Sequence, residues 1–104
     1  MSGTAEIRLI AILRPRPEQA ESLRQRLTGL VAPTRREQGC REYTLHENLE
    51  RPEFVFYEAW ASQADLDRHL ATPALKSLIA ALDGILAEPM TLLRLRALGE
   101  TAAR

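Results

Sequence analysis

The sequence predicts one α+β domain with the element order β-α-β-β-α-β, the ferredoxin-like arrangement in which helices cover one face of an antiparallel sheet. Two observations support this class. Four segments rich in aliphatic, β-branched or aromatic residues have the character of strands, and apolar stripes at helical spacing lie between them. The 104 residues suffice for one domain, with its core at about 6–98 and a tail at 99–104 that is expected to fray.

The first strand is predicted at about 6–13, where β-branched and aliphatic residues precede a proline. Both faces of this strand are apolar, with Leu9 on one and Ile10 on the other, so we expect both faces of the sheet to be covered. The first helix is predicted to start near Pro17, because proline suits the first helical position, and to stop at Gly39.

The second and third strands are predicted at about 40–48 and 54–60, joined by a turn around Pro52. Successive side chains of a strand point to opposite faces. The third strand therefore separates two sets of side chains: Phe54, Phe56, Glu58 and Trp60 on one face, and Val55, Tyr57 and Ala59 on the other.

The second helical region is predicted to begin at Ser62, which lies at capping-box distance from Asp65. Thr72 followed by Pro73 has the pattern of a new cap and a first-turn proline, so we expect the helix to split there. A last strand is predicted at about 90–98.

The expected helices cover only one face of a sheet whose strands are apolar on both faces. A second copy of the same sheet is the simplest cover for the other face, because two-fold homodimers are the commonest oligomers. We therefore predict a homodimer formed by sheet-to-sheet packing.

Composition and charge exclude several classes of function. Fourteen basic residues balance fourteen acidic ones, so the chain offers no general field for nucleic acid or an anionic membrane. No apolar run approaches the roughly 20 residues of a membrane span and no signal peptide is recognised, so we expect a cytoplasmic protein. One cysteine, Cys40, and two histidines make a metal site unexpected.

Three segments follow one another on successive predicted elements: residues 34–40 with Tyr43 just beyond, the strand 54–60 ending in Glu-Ala-Trp, and His69 before Thr72-Pro73. In this order and spacing they resemble the antibiotic biosynthesis monooxygenase family, over residues 7–95. The resemblance implies a dimeric α+β barrel with a pocket between sheet and helices in each subunit. It also implies oxidation of a small aromatic substrate, a quinol or polyphenol, by O2 without metal, flavin or other cofactor.

Two other branches of the same fold match this sequence less well. The haem-degrading branch uses an asparagine on the first strand, and this first strand has none. The isomerase-like branch often carries a histidine just after the Thr-Pro pair, where this chain has Ala74.

Cofactor-free oxidation of an aromatic requires a general base, an apolar cavity that orients the ring, and polar groups that hold the anion. His69 is the predicted catalytic base, because histidine titrates near neutral pH and this one lies on the inner side of its predicted helix. The alternative is a half-buried histidine that is hydrogen-bonded to the sheet.

Glu58 is the second predicted catalytic residue. One carboxylate among three aromatic side chains is costly to bury without a partner, so we expect it to anchor His69 or a substrate hydroxyl. The alternative is an ion pair with an arginine such as Arg94. Four aromatic residues are candidates for substrate binding, with packing as the alternative for each: Trp60, Phe56, Tyr43 and Tyr57.

Two other functions stay open at this point. A non-catalytic dimer that binds a small ligand would have no polar groups converging on His69, and the ring of His69 turned to solvent would favour it. An isomerase-type enzyme would need at least two polar groups facing one substrate atom.

Overall fold

The computed structural model describes residues 5–99 and contains four strands and three α-helices. In chain order these elements are β1 (Ile7–Leu13), α1 (Ala20–Arg35), β2 (Cys40–Glu47), β3 (Phe54–Trp60), α2 (Gln63–Leu70), α3 (Pro73–Ile85) and β4 (Thr91–Leu95). A short 3₁₀ turn at Pro17–Gln19 precedes α1. The strands form one antiparallel sheet in the order β2-β3-β1-β4, which confirms the α+β, ferredoxin-like prediction.

Strand register decides which side chains meet on the inner face of the sheet. Leu9 pairs with Glu58 on β3 and with Arg94 on β4, and Glu58 in turn pairs with Tyr43 on β2. Directly paired residues share a face, so these four side chains form one row across the sheet. The neighbouring row on the same face is apolar, and it consists of Leu92, Ala11, Phe56 and Leu45.

The helical region after β3 splits where the Thr-Pro pair predicted it. Ser62 Oγ accepts a hydrogen bond from the backbone N–H of Asp65 at 3.2 Å and so caps α2. Thr72 Oγ1 accepts one from Leu75 N at 3.4 Å and caps α3. With separate starts, α2 and α3 each turn their own apolar side towards the inner face of the sheet.

The outer face of the sheet is a partly exposed apolar surface. Ile10, Ile12, Val55 and Tyr57 are half-buried there, and Leu93 of β4 is 44% exposed. A second sheet packed on this face would remove these side chains from water, so the sheet-to-sheet homodimer stays a prediction with a defined surface.

The turn between α1 and β2 depends on Gly39, whose φ of +81° lies in the left-handed region. Its carbonyl accepts a hydrogen bond from Ala61 N at 2.8 Å, and a Cβ at this position would overlap the carboxyl group of Asp65. The helix was expected to stop at Gly39. It ends earlier, at Arg35, where the N–H groups of Arg36 and Glu37 donate to the carbonyls three residues before them, and Gly39 directs the chain into β2.

The other differences from the sequence prediction lie at element ends. β4 ends at Leu95 instead of residue 98, and the expected fraying at 99–104 falls almost entirely outside the described residues. Within residues 5–99, no helix combines the length and the apolar character needed to cross a lipid bilayer.

We predict that Gly39→Ala destabilises the protein by about 2 kcal/mol or more, because the new methyl group meets Asp65 and the backbone stays in a left-handed conformation. Urea unfolding measures the change. Gly29→Ala is the matched control: this glycine lies in α1 with open space around it, and the substitution should be neutral or stabilise by up to about 1 kcal/mol. Equal stabilities of the two variants would contradict the argument.

Candidate active site

A cavity of about 370 Å³ lies between the inner face of the sheet and helices α2 and α3. This volume is in the range of small-molecule binding sites. Both helices and all four strands contribute to the walls. The lining is apolar except at five positions. The polar side chains in the lining are Tyr43, Glu58, Gln63, His69 and Arg94.

His69, on α2, is only 1% exposed and faces this cavity. Its Nδ1 lies 2.9 Å from Oε1 of Glu37, which belongs to the turn after α1. An ionised carboxylate can only accept hydrogen bonds, so the hydrogen-bond pattern assigns the proton to Nδ1 and the lone pair to Nε2. The second ring nitrogen is thereby left available to a ligand in the cavity.

Two opposing effects act on the pKa of His69. Burial lowers the pKa, because an imidazolium is poorly solvated in this apolar setting, and the carboxylate of Glu37 raises it. Burial dominates, so the pKa of His69 lies below its ordinary value and the ring is neutral at physiological pH. A neutral imidazole with a free Nε2 can accept a proton.

Glu58, on β3, is 4% exposed and accepts a hydrogen bond from the indole N–H of Trp60 at 2.9 Å. Burial raises the pKa of Glu58 to about 7; the Trp60 hydrogen bond lowers this pKa, and the charge of Glu37 raises it further. The carboxyl group is therefore present in both protonation states near neutral pH, and it can donate or accept a proton there.

Aromatic rings surround His69 on two sides. The ring of Trp60 lies against it with centroids 4.7 Å apart and an interplanar angle of 30°, and Tyr43 meets it edge-on at 5.5 Å. Tyr43 also packs against Phe56 at 4.8 Å. Trp60 has no exposed surface and is absent from the cavity lining, so it supports His69 from behind.

The structure brings five of the six predicted site residues together. His69, Glu58, Tyr43 and Phe56 line the cavity, and Trp60 backs it. Tyr57 lies on the outer face of the sheet, because it follows Phe56 on the same strand and strand neighbours alternate. We therefore leave Tyr57 out of the proposed site.

The expected partners of Glu58 are not the observed ones. The carboxylate bonded to His69 belongs to Glu37, and Glu58 is instead bonded to Trp60. Arg94, the alternative partner, donates to Gln63 at the start of α2. Sequence reasoning missed Glu37 because it lies 32 positions before His69 and outside any periodic pattern. Its signal was its place in the segment 34–40, just before the turn-forming glycine.

The described residues offer little else for metal or nucleophilic chemistry. In the stretch from 5 to 99, no three His, Cys, Asp or Glu side chains converge as metal ligands would. Burial raises the pKa of the Cys40 thiol, and the carboxylates of Glu37 and Glu58 raise it further, so the thiolate form is disfavoured.

The fold and the cavity define a class: a small α+β domain that encloses a histidine and a carboxyl group beneath a ferredoxin-like sheet. The sequence profile described as "Antibiotic biosynthesis monooxygenase" matches residues 6–81. The chain belongs to this family, which confirms the resemblance found in its sequence.

Individual relatives agree with this assignment. The Mycobacterium tuberculosis protein named "Putative monooxygenase Rv0793" is 34% identical over 100 residues, covering 96% of this chain and 99% of that protein. The solved structure of Rv0793 aligns with a TM-score of 0.88 at 33% identity, covering 94% of this chain and 100% of that chain.

Two further solved structures are similar to this chain. PA3566 from Pseudomonas aeruginosa aligns with a TM-score of 0.86 at 30% identity, covering 95% of this chain and 100% of that chain. A structure described as an antibiotic biosynthesis monooxygenase aligns with a TM-score of 0.83 at 29% identity, covering 89% of this chain and 99% of that chain.

We predict that Glu58→Gln removes a pH dependence of stability. Glu58 ionises near 4.5 when unfolded and near 7 when folded, so the folded state holds the extra proton and loses stability as pH rises through this window. The neutral glutamine avoids that loss. The free energy of unfolding of the variant minus that of native protein should be about 3 kcal/mol larger at pH 8 than at pH 4, so the variant is relatively more stable at pH 8.

Urea unfolding followed by the fluorescence of the single tryptophan measures this difference. Glu50→Gln, which changes an exposed carboxylate of the β2–β3 turn, is the control and should behave alike at both pH values. A Glu58→Gln variant whose relative stability is the same at pH 4 and pH 8 would refute the buried, protonated carboxyl.

Proposed function

We propose that the protein is a cofactor-independent monooxygenase that oxidises a quinol or polyphenolic aromatic with O2. The main support is the neutral His69, whose Nδ1 is bonded to Glu37 and whose other nitrogen is available in an apolar cavity shared with Glu58. Membership of the monooxygenase family supports the same reaction class. The fold alone would not, since one fold hosts many reactions.

In the proposed reaction, His69 Nε2 takes the proton of a substrate hydroxyl, and the imidazolium charge is stabilised by Glu37. The aryl oxide passes one electron to O2, and the resulting radical pair combines at a ring C–H carbon conjugated with the oxygen. His69 returns its proton to the peroxide, and the hydroperoxide then loses its terminal hydroxide together with the proton of the ring C–H bond as water, which leaves a quinone. The balance is HO–Ar–H + O2 → O=Ar=O + H2O, so the substrate supplies all four electrons and no second reductant is needed.

The other cavity residues have complementary roles in this proposal. Glu58, with a pKa of about 7, anchors a second hydroxyl and protonates the departing oxygen as water forms. Tyr43 and Phe56 flank the ring, and Trp60 keeps His69 in place from behind. The apolar walls exclude water from the radical pair and admit the apolar O2 molecule.

An isomerase-type reaction is the second candidate, because His69 and Glu58 are two polar groups that face one cavity. The lining favours the oxygenase. A hydrated, sugar-like substrate needs many hydrogen-bond partners, whereas twelve of the seventeen lining residues here are apolar and suit a flat aromatic ring.

We also propose that the protein is a homodimer packed through the outer face of the sheet. The outer face carries a contiguous apolar surface of the kind that marks an interface, formed by the half-buried Ile10, Ile12, Val55 and Tyr57 and the exposed Leu93.

Sedimentation should give a dimer at micromolar concentration, and Ile10→Glu should give a monomer. Leu49→Glu, at a 95% exposed site in the β2–β3 turn, should leave the dimer intact.

We predict that His69→Ala lowers the rate of oxygen uptake with hydroquinone-type substrates by about 100-fold or more, because general base catalysis contributes that much. An oxygen electrode measures the rate. His46→Ala is the matched control, since the only other histidine is exposed on the opposite face of the sheet and should leave the rate unchanged. Equal rates for native protein and His69→Ala would exclude His69 as the base. Native protein that binds a quinol tightly but consumes no oxygen would favour the non-catalytic, ligand-binding alternative.

A further inference from the structure

We propose that Glu37 is a positioning residue that holds His69 in the tautomer whose Nε2 lone pair faces the cavity. The catalytic meaning of this assignment rests on the proposed function. The structural claim stands by itself, because it concerns two side chains and one hydrogen bond.

The contact between Glu37 and His69 is short and well placed. Glu37 Oε1 lies 2.9 Å from His69 Nδ1, and the imidazole side chain is 1% exposed while the carboxylate is 26% exposed. The tautomer of a neutral histidine is set by the hydrogen bond that its other nitrogen makes. Without Glu37, either nitrogen could carry the proton, and the molecules with a protonated Nε2 could not act as a base towards the cavity.

The backbone that carries Glu37 is fixed on both sides. Its N–H donates to Thr34 O at 2.9 Å, which continues the end of α1, and its carbonyl accepts from Cys40 N at 3.2 Å, which begins β2. Gly39 is bonded to Ala61 and closely approaches Asp65 of α2, the helix that carries His69. The turn and α2 therefore hold the two partners at a constant separation.

The charges around His69 make Glu37 the group that stabilises its protonated form. Two ionisable side chains contact the ring, Glu37 from the turn and Tyr43 from β2, and Glu58 from β3 lines the same cavity. The carboxyl of Glu58 is bonded to the indole of Trp60, and burial raises the pKa of Tyr43 so that its hydroxyl stays neutral. The cation at the cavity rim, Arg94, cannot stabilise an imidazolium. Glu37 remains as the charge that opposes the effect of burial on the pKa of His69.

A structural ion pair is the competing explanation for this contact. In that case Glu37 would stabilise the protein and shift the pKa of His69, as any ion pair does, but the tautomer of the neutral ring and the rate of the reaction would not depend on it. The two explanations differ in measurements made directly on the ring of His69.

The test uses the full chain labelled with ¹⁵N-histidine, whose two ring nitrogens report protonation by NMR. The chain has two histidines, so a His46→Gln background leaves His69 as the only ring signal. Three variants are compared with the parent. Glu37→Ala removes both charge and hydrogen bond, Glu37→Gln keeps an acceptor but removes the charge, and Glu50→Gln is the exposed control.

In the parent and in Glu50→Gln at pH 8, we expect a protonated Nδ1 and an unprotonated Nε2. Glu37→Ala should give a mixture of tautomers and a lower pKa for His69. Glu37→Gln should keep the Nδ1–H tautomer and lower the pKa, because the amide oxygen still accepts the hydrogen bond. An unchanged tautomer in Glu37→Ala would overturn the proposal. If the alanine variant does not fold, an unchanged pKa of His69 in Glu37→Gln would overturn it, because the carboxylate would then not act on the ring.

The rate of oxygen uptake then shows whether the Glu37–His69 hydrogen bond matters for catalysis. For Glu37→Ala we expect kcat/KM at pH 7 to fall about tenfold, with the acidic limb of its pH profile moved to lower pH together with the pKa of His69. A normal profile alongside an altered tautomer would overturn the catalytic part. If native protein consumes no oxygen with any quinol, the proposed function fails, and the NMR result still decides the role of Glu37.

Discussion

The burial of two ionisable side chains beside one apolar cavity is the constraint on which the rest of the site depends. His69 and Glu58 lie where a full charge is poorly solvated, and each has one observed side-chain hydrogen-bond partner, Glu37 and Trp60 respectively. Such groups are expensive to bury unless they are bonded. The same burial favours a neutral imidazole and a half-protonated carboxyl near pH 7, which are the forms that exchange protons with a substrate.

Each member of the cluster comes from a different element, and the fold brings them together by simple geometry. Strand pairing places Glu58 beside Tyr43 and Leu9, α2 begins directly after β3 and carries His69 over that row, and the turn after α1 adds Glu37. Family membership agrees with this arrangement. The chemistry nevertheless has to be argued from the site, because related folds serve several reactions.

Local patterns predicted most of the fold and part of the site. The two-residue period of β3 placed Glu58 and Phe56 on the inner face, and short-range capping signals placed the start of α2 and the split at Thr72-Pro73. Those inferences need only neighbouring residues. The Glu37–His69 contact joins residues 32 positions apart and depends on how one turn meets one helix, which no local pattern encodes.

The central claim is that a phenolic ring occupies the cavity with a hydroxyl on His69. A crystal structure with resorcinol, soaked and frozen without oxygen, tests this most directly, because the diol cannot be oxidised in the absence of O2 and should remain bound unchanged. The account predicts the ring between Tyr43 and the apolar wall formed by α3, with one hydroxyl within hydrogen-bonding distance of Nε2 of His69 and the other near Glu58. Resorcinol bound elsewhere, or a cavity filled by side chains with Nε2 turned away from it, would contradict the account.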